Sequence, residues 1–159
     1  MVIMGTAPSA PVQLMVAELQ PGIYTVNETG SGAGIITEAV TGQLNNTSNP
    51  ARAADYLVVY CTGLGPLEGP NGQAPPVDGA AAPLSPLFQT TATVTATIGG
   101  ANAPVSFSGL TPTFAGLYQV NVQVPVGIAA GNAVPLIITA TDSQTGATAV
   151  GNVVTIVVQ

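Results

Sequence analysis

The chain has 159 residues, nearly half of them apolar, and a formal net charge of −6 from seven acids set against one cation, Arg52; it contains no Lys, His or Trp. The length suits one domain with a core of its own, and the lack of clustered cations excludes the usual means of holding nucleic-acid phosphates or an anionic membrane surface. No apolar run reaches the roughly 18 residues of a membrane-spanning helix, and the opening residues lack the basic and apolar regions of a signal peptide, so the expectation is a processed chain or a piece of a longer one, with no membrane insertion.

Residues 1–20 read as an extended arm. Val12, Leu14 and Val16 alternate there with Gln13, Met15 and Ala17, a strand pattern that Gln20-Pro21-Gly22 ends. Residues 21–159 read as a β-sandwich domain. Gly22-Ile23-Tyr24-Thr25-Val26 predicts a short strand, residues 27–32 a loop, and residues 34–40 with 43–45 a hairpin around Thr41-Gly42. Turn residues fill 45–50. Residues 55–65 are apolar at both parities and predict a central strand covered on both faces or close to it. Cys61 within it has no partner for an internal disulfide and reads as a small buried hydrophobe, with an intermolecular disulfide as the alternative.

Residues 66–89 form a long Pro/Gly-rich loop, because six prolines there forbid a helix or a central strand. Leu84, Leu87 and Phe88 predict that its second half is pinned to the body. Thr91, Thr93, Thr95 and Thr97 then alternate with Ala92, Val94, Ala96 and Ile98, giving a hydroxyl face and a core face. Gly99-Gly100 turns the chain toward Ala103-Pro104-Val105-Ser106-Phe107, a hairpin partner that Pro104 makes an edge or bulged strand. The clearest core signal is Leu117-Tyr118-Gln119-Val120-Asn121-Val122-Gln123-Val124-Pro125. Its apolar residues share one face, and Gln119, Asn121 and Gln123 form a neutral amide row on the other. Residues 134–140 and 152–158 predict the last strands, with a turn at 142–146. Short strands between Gly/Pro turns, with no amphipathic helix, indicate an all-β sandwich.

Pro21-Gly22-Ile23-Tyr24-Thr25, Asn49-Pro50-Ala51-Arg52, Tyr60-Cys61-Thr62-Gly63-Leu64-Gly65-Pro66, Thr97-Ile98-Gly99-Gly100 and the stretch from Gly116 to Pro125 occur in that order. Together they resemble the uncharacterised C-terminal domains of large secreted acidobacterial proteins, which are similar to immunoglobulin-like, TIG-type sandwiches. The resemblance covers roughly residues 21–158. It implies an immunoglobulin-like fold and an extracellular structural or accessory role, with no catalytic residue. Cys61 stands where the family has a small residue. In such proteins the stretch before Pro21-Gly22 tends to be the last strand of a preceding sandwich.

The missing residue types bear on chemistry. Without His or Lys, a Ser, Thr or Cys nucleophile has no side-chain base, one Cys cannot build a zinc site, and the acids are scattered outside any recognisable motif. No catalytic residue, metal or cofactor is expected. Gly30, Gly32 and Gly34 read as a flexible turn, not a phosphate loop, and Asp55, Asp78 and Asp142 as solvated turn carboxylates. Asn27, Asn45 and Asn46 begin possible glycosylation sequons. Arg52 is the one tryptic site, expected to be ordered by a carboxylate such as Asp55.

Two functions remain in view. In the first, the arm completes the sheet of another copy, through Val12, Leu14 and Val16 with Gln119, Asn121 and Gln123 as a further contact surface. Head-to-tail donation that does not close a ring gives a filament, and no edge Lys opposes it; alternatively the arm belongs to the same sandwich or is a truncation remnant. In the second, an adhesive module binds polysaccharide, with Tyr24, Tyr56, Phe88 and Phe114 as the stacking residues. Both place the protein outside the cell or on its surface.

Overall fold

The computed structural model of the protein describes the backbone at Ile3–Met4 and Ala7–Pro8, then Ala10, residues 12–14 and residues 16–159. β1 (Ile3–Met4) and β2 (Ala7–Pro8) pair antiparallel. The following strands are β3 (Gly22–Ile23), β4 (Gly32–Ala33), β5 (Ile36–Glu38), β6 (Tyr56–Thr62), β7 (Leu67–Glu68), β8 (Gln89–Thr90), β9 (Thr93–Ile98) and β10 (Ala101–Ala103). After them come β11 (Val105–Leu110), β12 (Tyr118–Gln123), β13 (Gly131–Thr141), β14 (Thr148–Val150) and β15 (Val154–Val158). Among the described residues these strands make two larger sheets. One has seven strands, with β3, β6, β12, β11, β8 and β7 side by side and β5 also on β6; the other has six, ordered β10, β9, β13, β15, β4, with β14 also on β13. Among the same residues, no helix is long and apolar enough to cross a membrane.

The chain is an all-β sandwich, and side-chain alternation explains its core. Leu57, Val59 and Cys61 of β6 and Val120 and Val122 of β12 point inward from the seven-stranded sheet. They meet Val94, Ala96 and Ile98 of β9, Leu136, Ile138 and Ala140 of β13, and Val154, Ile156 and Val158 of β15. Each large aliphatic side chain buried this way contributes about 1.5–3 kcal/mol before entropy is counted. The predicted hydroxyl face of β9 is real: Thr93 and Thr95 are exposed while Val94, Ala96 and Ile98 are buried. The predicted hairpin at Thr41-Gly42 also forms, with Leu44 opposite Thr37.

Three predicted elements are corrected. β6 is central in its sheet, but only one of its faces is covered: Tyr56 is exposed and Val58 and Tyr60 are half-buried. Apolar residues at both parities do not distinguish a doubly covered strand from one that shows tyrosines to solvent. The predicted hairpin partner at 103–107 is divided between the sheets. Ala103 pairs with Ala96 in the six-stranded sheet, whereas β11 pairs with β12 in the other. Pro104 sits at the crossing, where it has no N–H to leave unpaired, and its carbonyl accepts from Gln123 N at 2.8 Å. In the long loop, Phe88 and Ala82 are the pins, in a small satellite core with Leu110. Leu84 and Leu87 are exposed.

The arm differs from its prediction as well. Residues 12–14 and 16–20 form no strand, Met15 lies outside the described residues, and the arm's end belongs to the body. Leu19 is buried in the main core, and Gln20 N donates to Gly63 O at 2.9 Å. Gly63 has a φ of +72°, and a Cβ there would overlap the Gln20 carbonyl oxygen. Only glycine satisfies both conditions. The chain is therefore anchored from Leu19 onward.

Candidate functional site

Two surfaces stand out on this frame. The first is the arm before its anchor. Val12, Leu14 and Val16 are 79%, 81% and 93% exposed, so three apolar side chains of one parity lie in water. The arm leaves the body beside β14, where Ala17, Glu18 and Leu19 line a shallow pocket with Asp142 and Thr148.

Strand edges determine where such a segment can pair. The free side of β15 is occupied: Gly34 N donates to Thr155 O at 3.1 Å, and Ala51 N to Val157 O at 2.9 Å. The Asn45 side chain fills the position between, donating from Nδ2 to Val157 O at 2.9 Å and accepting from Val157 N at 2.7 Å. On β3, Asn152 does the same for Ile23, with Oδ1 accepting from its N–H at 2.7 Å and Nδ2 donating to its carbonyl at 3.0 Å. β9 is different. Residues 93–98 pair with β13, but β10 covers only residues 96–98, so residues 93–95 have a strand neighbour on one side alone.

The second surface is the outer face of the seven-stranded sheet. Gln119 lies opposite Tyr60, Asn121 opposite Val58, and Gln123 opposite Tyr56. On the other flank of β12, Gly109 faces Gln119 and Phe107 faces Asn121. Tyr24 adjoins this surface, its N–H donating to Tyr60 O at 3.1 Å. Gln119 Nε2 donates to Asn121 Oδ1 at 3.1 Å, and Gln123 Nε2 to Ala54 O at 3.2 Å.

The predicted contact residues are thus separated. The amide row runs along β12, whereas Ala17, Glu18 and Leu19 at the end of the arm lie beside β14. Tyr24 and Tyr56 are 43% and 46% exposed and border the amide face. Phe88 is buried in the satellite core, out of reach of any ligand, and Phe114 is exposed on the loop between β11 and β12. Tyr60 and Phe107 also face outward here, a placement the sequence pattern does not show. Tyr60 was hidden in an apolar run, and the parity of Phe107 was obscured by the bulge between Val105 and Phe107.

The ionisable groups serve local structure. Glu38 accepts from Val40 N at 3.0 Å and Thr41 N at 2.6 Å, which holds its carboxyl below the usual range, the Val40 bond contributing most. Asp142 accepts from Thr145 N at 2.6 Å and Gln144 N at 2.7 Å and is lowered for the same reason. Burial pushes the Cys61 thiol up to about 12. Tyr118, raised by burial and by the neighbouring Cys61, donates its hydroxyl to Gly65 O at 2.8 Å. Asp55 Oδ2 accepts from the Arg52 backbone N–H at 2.8 Å. The Arg52 guanidinium faces Gln159 instead; with the amide oxygen turned toward it, Nη2 and Nε each donate at 3.0 Å. Of the sequon asparagines, Asn45 is committed to Val157, while Asn27 and Asn46 are exposed in turns.

No protein-family model, curated protein or solved structure matches the chain.

Proposed function

We propose that the protein is a non-enzymatic, extracellular structural module, an immunoglobulin-like sandwich whose N-terminal arm adds a strand to another copy. The observation that carries this reading is the exposure of Val12, Leu14 and Val16, three apolar side chains in alternation that their own chain leaves uncovered. An extended segment of this kind gains main-chain hydrogen bonds and side-chain burial together when it joins a sheet edge. The edge that fits is β9 at residues 93–95. The inward residues there, Ala92 and Val94, are small and lie at the rim of the core, so a donor strand alongside extends the apolar row. The edges of β15 and β3 are blocked to such a strand, whereas residues 93–95 of β9, like residues 105–108 of β11, have a strand neighbour on one side alone. Donation from each copy to the next is head-to-tail and generates a filament where the rotation does not close.

Size-exclusion chromatography with light scattering tests the reading on the full chain and on a variant lacking residues 1–16, which keeps Leu19 and the whole core. The full chain is expected to form concentration-dependent oligomers and the truncated one to remain a monomer. Equal masses for the two would overturn it.

A further inference from the structure

We propose that the outer face of the seven-stranded sheet is a binding platform for a linear neutral glycan lying along β12, independent of the arm. The chemistry of the face selects the ligand class. From β6 across β12 to β11 the outward residues are tyrosines, valine, amides, phenylalanine and glycine, with no charged side chain among them. Along the row through Gln119 the first acid is Glu68, beyond Gln89 at the margin of the sheet, and the other acids stand at the border of the face, Asp55 and Glu38 at the Tyr56 end and Glu28 beside Tyr24. A ligand complementary to this surface carries no charge and offers both apolar C–H faces and hydroxyls. Neutral sugars do so: the pyranose face stacks on aromatic rings, and the ring hydroxyls pair with amides.

The arrangement suits a chain of sugars better than a single one. Neighbouring strands lie about 4.8 Å apart, so β6 and β11 flank the amide row across about 10 Å, while Tyr56 and Tyr60 are about 13 Å apart along β6. The amides form the middle strip, with tyrosines on one side and Phe107 on the other. Gly109 gives Phe107 its posture. A Cβ at Gly109 would come within 2.8 Å of the tip of the Phe107 ring, so the ring leans over the strand backbone. The bonds that Gln119 and Gln123 donate fix the amides and leave Gln119 Oε1, Asn121 Nδ2 and Gln123 Oε1 without a hydrogen-bond partner among the described residues. These atoms supply an acceptor, a donor and an acceptor in succession along the strip.

The test is retention on insoluble cellulose, chitin and mannan and affinity electrophoresis in hydroxyethyl cellulose and laminarin, with alginate and chondroitin sulfate as charged controls. The protein is expected to bind at least one neutral polymer and neither charged one. Tyr56→Ala and Asn121→Ala, both at positions outside the core, should each weaken that binding roughly tenfold, and deletion of residues 1–16 should leave it unchanged. Phe107→Ala adds a third position, but the two outer-face variants decide the matter if it does not fold. Failure to bind any neutral polymer would overturn the proposal, as would binding that ignores both substitutions or preference for the charged polymers. A change in particle mass in Tyr56→Ala without glycan binding would make the face a contact between copies and equally overturn it.

Discussion

Asn45 and Asn152 behave as pieces of strand. Each presents a carboxamide to one residue of a neighbouring segment and satisfies both its N–H and its C=O, as a backbone unit would. Asn45→Ala removes the acceptor for Val157 N in a partly buried setting and should cost about 2 kcal/mol, read by urea denaturation. Cys61 gives a second check. Its burial and raised pKa predict no reaction of the folded protein with a thiol reagent near neutral pH and full reaction once it is unfolded. The raised pKa also means that the stability linked to the protonated thiol is complete below the ordinary value of 9.0 and is lost as the pH rises toward about 12. Cys61→Ala should therefore flatten the alkaline decline in melting temperature. Neither asparagine was legible in the sequence, because its partner lies more than a hundred residues away. Asn45 reads locally as a turn residue and a sequon.

At the scale of elements, alternation makes β9, β12, β15 and β13 from Val134 onward legible, since one face of each is buried and the period of two is unbroken there. Where a strand changes sheet, the pattern is silent. Ala103 and Val105 look alike in sequence, yet they belong to different sheets because the chain crosses at Pro104. Tyr60 is likewise illegible as a surface residue inside an apolar run, and with Phe107 it completes the amide face of which β12 alone shows one strip. Two turns offer a pH test. Glu38 and Asp142 have lowered pKa values because each accepts amide hydrogen bonds in its own turn. Their contribution is present above the ordinary carboxylate values of 4.5 and 3.8 and is lost as the pH falls through the lowered ones. Hydrogen exchange at Val40, Thr41, Gln144 and Thr145 should speed up in strong acid, relative to the intrinsic rate, before the amides of β12 and β13 do so.

For the whole molecule, the body leaves few openings. A closed core, amide plugs at two edges and an anchored Leu19 make up the body, and beside it Val12, Leu14 and Val16 stay exposed. The scarcity of charge fits this reading, because a surface of Thr, Ser, Asn and Gln imposes little desolvation cost when copies approach. The most direct measurement is hydrogen–deuterium exchange of residues 12–17 in the full chain at low and at high protein concentration. Strand addition predicts fast exchange in dilute solution and strong protection when concentrated, with added protection at the amides of residues 93–95 on β9. Equally fast exchange of the arm at both concentrations would contradict the account.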